Sequence, residues 1–272
     1  MGIVNVNDDS FSGDGTPDVD MALQHAAAQV EAGADVIDVG AESARTNRRA
    51  IPAAEEAERF AEFLELWPAV AKRLRPADDR QVWPPVLSAN TWRPAVARAV
   101  LERGVELLND MGGLPNARNA RLCARHGAAL LIMHSVGEPK VDHRAAQWDD
   151  IMAELQQWFR RKMALAVSAG LNEDQLLLDP GIDFAKQRAD NLRIYRELES
   201  LHACGRPILL PVSRKTVIGE VLGIEDPSAR DAGTVACLAA GLVRGAQLFR
   251  VHKVAAAYRA VRVLTAVERA RV

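Results

Sequence analysis

The chain has 272 residues and a formal net charge of -2 at pH 7, a size that suits one large α/β barrel or two small domains and a charge that gives no bulk attraction to nucleic acid or an anionic membrane. Cys123, Cys204 and Cys237 are odd in number, far apart and without a CxxC pair, which argues against a disulfide framework and a cysteine zinc site and fits a reducing cytoplasm. No apolar run approaches the roughly 20 residues that span a bilayer, and the N-terminus lacks the basic-then-apolar pattern of an export signal, so no membrane partner is expected.

Short β-branched or leucine-rich runs alternate with longer amphipathic stretches along the whole chain. The pattern predicts a strand over 3–6 and a helix over 19–32, a strand over 35–39 and a helix over 53–74, then strand 86–90 with helix 94–102. It continues with strand 106–109 and helix 117–125, strand 129–134 and helix 148–169, strand 176–179 and helix 189–202, strand 208–212 and helix 229–244, and strand 248–251 with helix 255–270. Eight strands joined by crossover helices, with no low-complexity linker, predict one parallel (β/α)8 barrel, a TIM barrel, with residues 1–272 as a single domain.

Polar residues recur where these strands end: Asn5, Asp38, Asn90, Asn109 with Asp110, His134, Asp179, Ser213 to Lys215, and Arg250 with His252. In such a barrel the active site lies at that rim. Asn and Asp also favour turns and helix caps, so any one of them alone reads as a cap; the set, delivered by strand after strand, reads as a site. Arg250 and His252, one residue apart on an extended chain, point to the same side, in the region where barrels commonly receive phosphate. The alternative for Arg250 is an ion pair with a neighbouring acid, and for Lys215 a solvated surface lysine or a Schiff-base nucleophile.

Eight local sequences, in order, carry a family resemblance: MGIVNVNDDSFSGDG, GADVIDVGAESAR, LSANTWRPAVA, VELLNDMGG, LLIMH, LLLDPGIDFAK, PVSRKTVIG and FRVHKV. Together they resemble the signatures of dihydropteroate synthases from about Met1 to Val254. The resemblance implies a cytosolic folate-pathway transferase, usually a homodimer, that joins 6-hydroxymethyl-7,8-dihydropterin diphosphate to p-aminobenzoate and releases diphosphate with the help of Mg²⁺. It implies pterin binding by Asn90, Asn109, Met133, Asp179, Lys215 and Arg250, diphosphate binding by Asn5, Arg250 and His252, a Mg²⁺ ligand at Asn5, and an acceptor pocket at Arg45, Phe184 and Ser213. Asn90, Lys215 and Arg250 are the residues it places nearest the chemistry. These residue types suit the ligand, because a pterin edge of closely spaced donors and acceptors needs a carboxylate and amides, and guanidinium suits phosphate.

The sequence departs from the family pattern at several of these places. Asn90 stands where the third-strand block has Asp; Ala44, Thr46 and Asn47 flank Arg45 in place of the usual loop residues; Asn7 and Asp8 replace Thr-Pro. Asp183 replaces a glycine before Phe184, Pro211 a glycine before Ser213, and Lys253 an acid after His252. A carboxylate at Asp183 is expected to discourage an anionic acceptor unless Arg45 or Lys186 offsets it, which would open the pocket to another amine. The competing readings are a methyltetrahydrofolate-type methyltransferase, which the diphosphate-type residues disfavour, and a catalytically silent pterin-binding protein.

Overall fold

The computed structural model describes residues 1–7, 15–16, 18–43, 50–141, 143 and 146–270. Strands and helices alternate: β1 (Gly2–Asn5), α1 (Val19–Glu31), β2 (Val36–Gly40), α2 (Ala53–Ala71), β3 (Val86–Asn90), α3 (Pro94–Leu101), β4 (Leu107–Asp110) and α4 (Arg118–His126). Then follow β5 (Ala129–Met133), α5 (Ile151–Ser168), β6 (Leu176–Asp179), α6 (Arg188–Arg196), β7 (Leu209–Leu210), α7 (Thr216–Leu222), α8 (Asp231–Val243), β8 (Leu248–Phe249) and α9 (Val254–Arg269). The first six strands form one parallel sheet in chain order, and β7 pairs with β8. Single bridges, Leu178 with Ile208 and Gly2 with Val251, join the two pieces on both sides and close the ring. Pro211, which has no N–H to give to a ladder, follows directly on β7 and helps explain why that strand is shorter than predicted.

The two-residue period of a strand sorts the side chains into two layers. Residues facing outward, among them Ile37, Val39, Leu108, Leu130, Ile132, Leu178 and Leu210, are fully buried against the helices. Those facing inward begin at the bottom with an apolar plug of Val36, Leu107, Leu131 and Leu209. Two and four residues further along the same inward-facing rows stand Asp38 and Gly40, paired in register with Ser88 and Asn90. Asn90 in turn pairs with Asn109, and Met133 with Asp179. Apolar side chains therefore fill the lower barrel, and the polar ones stand above them around an open mouth.

Several helices differ from the predicted ones. The stretch 189–202 breaks at Glu197 and continues as a 3₁₀ helix over Leu198–Cys204. Leu198, Leu201 and Cys204, all buried and three apart, suit three residues per turn better than 3.6. The predicted helix over 229–244 begins instead with a 3₁₀ turn, Pro227–Arg230. The short α7 is not predicted at all, because TVIGEVL combines β-branched residues with a glycine and reads as a poor helix. Gly219 is needed there, since a Cβ would stand 2.6 Å from the Arg230 guanidinium and from Ile224 O.

Candidate active site

The barrel mouth opens into a cavity of about 590 Å³, a size that takes a drug-sized ligand. Its lining includes Asn5, Asn90, Asn109, Met133, Asp179, Phe184, Ser213, Lys215, Arg250 and His252. All of the predicted site residues but one thus share a single space; Arg45 lies outside the described residues, as do Asp8 and the 44–49 loop.

Beneath the cavity Asp38, fully buried, joins three strands. Its Oδ1 accepts from Ser88 Oγ at 2.6 Å, and its Oδ2 accepts from Asn109 Nδ2 at 3.1 Å and from Arg250 Nε at 2.6 Å. The ion pair weighed for Arg250 from sequence is therefore present. A guanidinium carries five donors, so the bond to Asp38 fixes its plane and leaves others for a ligand. Asp38 was visible in the sequence as a strand-end acid, but nothing local indicated that its partners would come from β3, β4 and the end of β8.

Asp179 ends β6 on the opposite side. Gly181 N donates to its Oδ1 at 2.7 Å. Burial pushes its carboxyl up to about 6, against the pull of the Gly181 N–H and of Lys215, Lys186 and Arg250. The turn after it is tight enough to require glycine: Gly181 has φ +66, and a Cβ there would lie 2.1 Å from His134 O. Asn90 stands across the cavity with its Oδ1 buried and without a hydrogen-bond partner, an arrangement that suits a ligand donor.

Lys215 is half-buried in the wall, its Nζ donating to Ile182 O at 2.8 Å and lying 5.1 Å from the Phe184 ring centre. Burial lowers its pKa, while Asp183 and Asp179 act to restore it. Its backbone is held from behind: Arg230 Nη1 donates to Arg214 O and Lys215 O at 3.2 and 3.3 Å, and Arg214 N donates to Thr234 Oγ1 at 2.9 Å. Arg214 itself faces away and pairs with Asp231, which also holds Lys253 at 2.6 Å. The basic residue after His252 thus has an acidic partner on α8. Next to it, Ser213 Oγ and His252 Nδ1 lie 2.7 Å apart, so a residue expected in the acceptor pocket and one expected at the diphosphate form one hydrogen-bonded unit.

Asp183 lines the cavity, and its side chain is engaged from the far wall. Its carboxylate accepts from Thr216 N at 2.5 Å and Val217 N at 3.2 Å, so it caps α7. Lys186 does not pair with it directly: the ammonium donates to Phe184 O at 3.0 Å and sits 2.9 Å from His134 Nδ1. Burial lowers Lys186 to about 7 and His134 to about 2, so the imidazole is neutral. His134 and Asp110, two of the polar strand ends, point away from the mouth. His134 packs edge-on to Trp148 and Trp158, and Asp110 accepts from Asn119 Nδ2 and Gly112 N. They are supports for the loops. The fifth-strand loop, by contrast, supplies lining that the sequence did not single out, including Glu138, Lys140 and His143. Lys140 is tied to Glu42 at 3.3 Å, which also receives Arg93.

Comparison with known proteins gives the family. The family model described as pterin binding enzyme matches residues 1–252. The dihydropteroate synthase of Escherichia coli strain K12 is 35% identical over 268 residues, covering 98% of this chain and 90% of that protein. The Yersinia pestis dihydropteroate synthase, solved with a sulfonamide drug, superposes with a TM-score of 0.89 at 34% identity, covering 99% of this chain and 94% of that one. The Xanthomonas albilineans enzyme in complex with 7,8-dihydropteroate has a TM-score of 0.83 at 35% identity over 98% of this chain and 92% of its own.

Proposed function

The chain belongs to the pterin-binding enzyme family, and from that premise we propose that it is a dihydropteroate synthase, a transferase that joins 6-hydroxymethyl-7,8-dihydropterin diphosphate to p-aminobenzoate with release of diphosphate. Residues 1–272 act as one pterin-binding domain, working as a homodimer in the cytoplasm. The observation that carries the reading is the placement of Asp179, Asn109 and Asn90 around one cavity whose eighth-strand side presents Arg250 and His252. It matches a ligand with a polar ring edge at one end and an anion at the other.

In this reading the ionised Asp179 accepts from the exocyclic amine and ring N–H of the pterin, and Asn109, oriented by Asp38, pairs with the same edge. Asn90 offers its unpartnered oxygen. Lys215 donates to a ring oxygen or nitrogen, and Arg250 lies along the pterin while it and His252 hold the diphosphate. The bond from the pterin methylene carbon to the diphosphate oxygen breaks, and its electron pair leaves with diphosphate. The electron-rich ring stabilises the cation; the amine nitrogen adds to it and loses a proton. Phe184 and Ser213, with Arg45 from outside the described residues, hold the acceptor. Such a step needs charge positioned in advance more than a strong base.

Mg²⁺ suits this site only together with the substrate. Among the described residues no group of three or more His, Cys, Asp or Glu is arranged to cage a cation. Asn5 ends β1 at the cavity rim, and its amide oxygen lies 3.6 Å from where a Cβ on Gly40 would stand, so the glycine leaves that side open. Magnesium keeps most of its waters and accepts one protein oxygen plus phosphates. Asn5 would provide that oxygen, and the ion would neutralise the departing diphosphate.

The test is to incubate the purified protein with the pterin diphosphate, Mg²⁺ and p-aminobenzoate and to measure diphosphate and 7,8-dihydropteroate separately. Both products are expected in equal amounts. Diphosphate without the adduct would reassign the acceptor, and pterin binding with neither product would reduce the protein to a binding module.

A further inference from the structure

Resting on the reading that Lys215 serves the bound pterin, we propose that Asp183 is a positioning residue, which fixes Lys215 in the cavity wall by capping α7 from the neighbouring loop. The sixth-strand loop grips Lys215 at two points. Its side chain is held by Ile182 O and the Phe184 ring, and Asp183, the residue between them, reaches over to the backbone N–H groups of Thr216 and Val217, one and two residues beyond Lys215. The first turn of α7 has no cap of its own, because Lys215 at the N-cap position makes no side-chain capping bond. A poor helix sequence without a cap frays at its first turn, and here that turn carries the lysine.

The backbone at Asp183 supports the same assignment. Its φ is +69, a conformation that glycine adopts freely and aspartate tolerates. Asn191, buried on α6, fixes the carboxylate: Asp183 N donates to Asn191 Oδ1 at 2.9 Å, and Asn191 Nδ2 donates to Asp183 Oδ1 at 3.4 Å. A glycine would relax the turn and leave α7 uncapped, so the aspartate gives up backbone ease for its side chain. Arg230 and Thr234 hold the same loop from the α8 side. Asp183 supplies the grip from the cavity side, and Lys215 lies between the two.

The test uses the full chain with Asp183→Ala, Asp183→Asn and Lys215→Ala, alone and in the combination Asp183→Ala/Lys215→Ala. Hydrogen exchange at the Thr216 and Val217 amides reads the cap, and calorimetry with 6-hydroxymethylpterin reads the lysine. Asp183→Ala is expected to deprotect both amides and to weaken pterin about tenfold, the effect of losing one cap. Asp183→Asn keeps a side-chain acceptor and is expected to retain most of the affinity. In the Lys215→Ala background Asp183→Ala is expected to change affinity no further. Equal weakening in both backgrounds, or lost protection with unchanged affinity, would overturn the proposal. If the unmodified protein binds no pterin, the functional reading falls and the positioning role with it. The exchange data still report the cap in that case, so the two failures are told apart.

Discussion

Asp38 and Arg250, 212 residues apart in the chain, meet beneath the cavity, where Arg250 Nε donates to Asp38 Oδ2 at 2.6 Å. Their strands flank β1 from either side, and the two-residue period turns both side chains inward. The pair aims a guanidinium that would otherwise sample many rotamers. Arg250→Ala leaves Asp38 buried with only neutral partners and is expected to destabilise the fold by about 3 kcal/mol. Adding Asp38→Asn removes the stranded charge and is expected to restore much of that loss in urea unfolding. A double variant as unstable as Arg250→Ala would show that the charge is not what destabilises it.

In the proposed function Asp179 sets stability against pterin binding. Its carboxyl is raised from 3.8 to about 6, so the folded protein holds this proton more tightly than the unfolded chain does. The stabilisation it gives is complete below pH 3.8 and is lost as pH rises through about 6. At neutral pH the ionised group therefore withholds about 3 kcal/mol. Asp179→Asn is expected to raise the thermal midpoint at pH 8, with the gain fading towards pH 4, and to abolish pterin binding. In the unmodified protein pterin affinity is expected to fall as pH drops below about 6. A destabilised Asp179→Asn protein at pH 8 would return the residue to its turn.

Asn90 lines the cavity and is the departure from the family pattern that the proposed reaction sets nearest its reacting carbon. A carboxylate at this position would stabilise the developing pterin cation, and 1.4 kcal/mol is worth tenfold in rate. Asn90→Asp is expected to speed single-turnover diphosphate release about tenfold at saturating pterin diphosphate and Mg²⁺. A slower rate would mean that the site is tuned around the amide and its buried oxygen.

His252 hydrogen-bonds with Ser213, and replacing it tests the proposed diphosphate site. His252→Ala is expected to weaken the pterin diphosphate about tenfold while leaving hydroxymethylpterin nearly unchanged. Calorimetry with both ligands decides the matter, since equal losses would place His252 elsewhere.

The strand sequence, its order and the inward parity of the polar ends were legible in the chain, because they follow from local periodicity. Val36, Asp38 and Gly40 alternate with Ile37 and Val39 whatever the rest of the molecule does. The same periodicity assigned Asn90, Asn109, Asp179 and Arg250 to the barrel mouth. Tertiary structure decided what those groups bind to. Asp38 gathers Ser88, Asn109 and Arg250 only after the ring closes, and His134, equally well placed at a strand end, turns outward to Lys186 and two tryptophans. α7 was illegible because the acceptor for its first turn, the Asp183 carboxylate, comes from 33 residues earlier in the chain. A hydrogen bond across that distance leaves no periodic trace in the sequence, since it forms only when two loops are brought to the same rim.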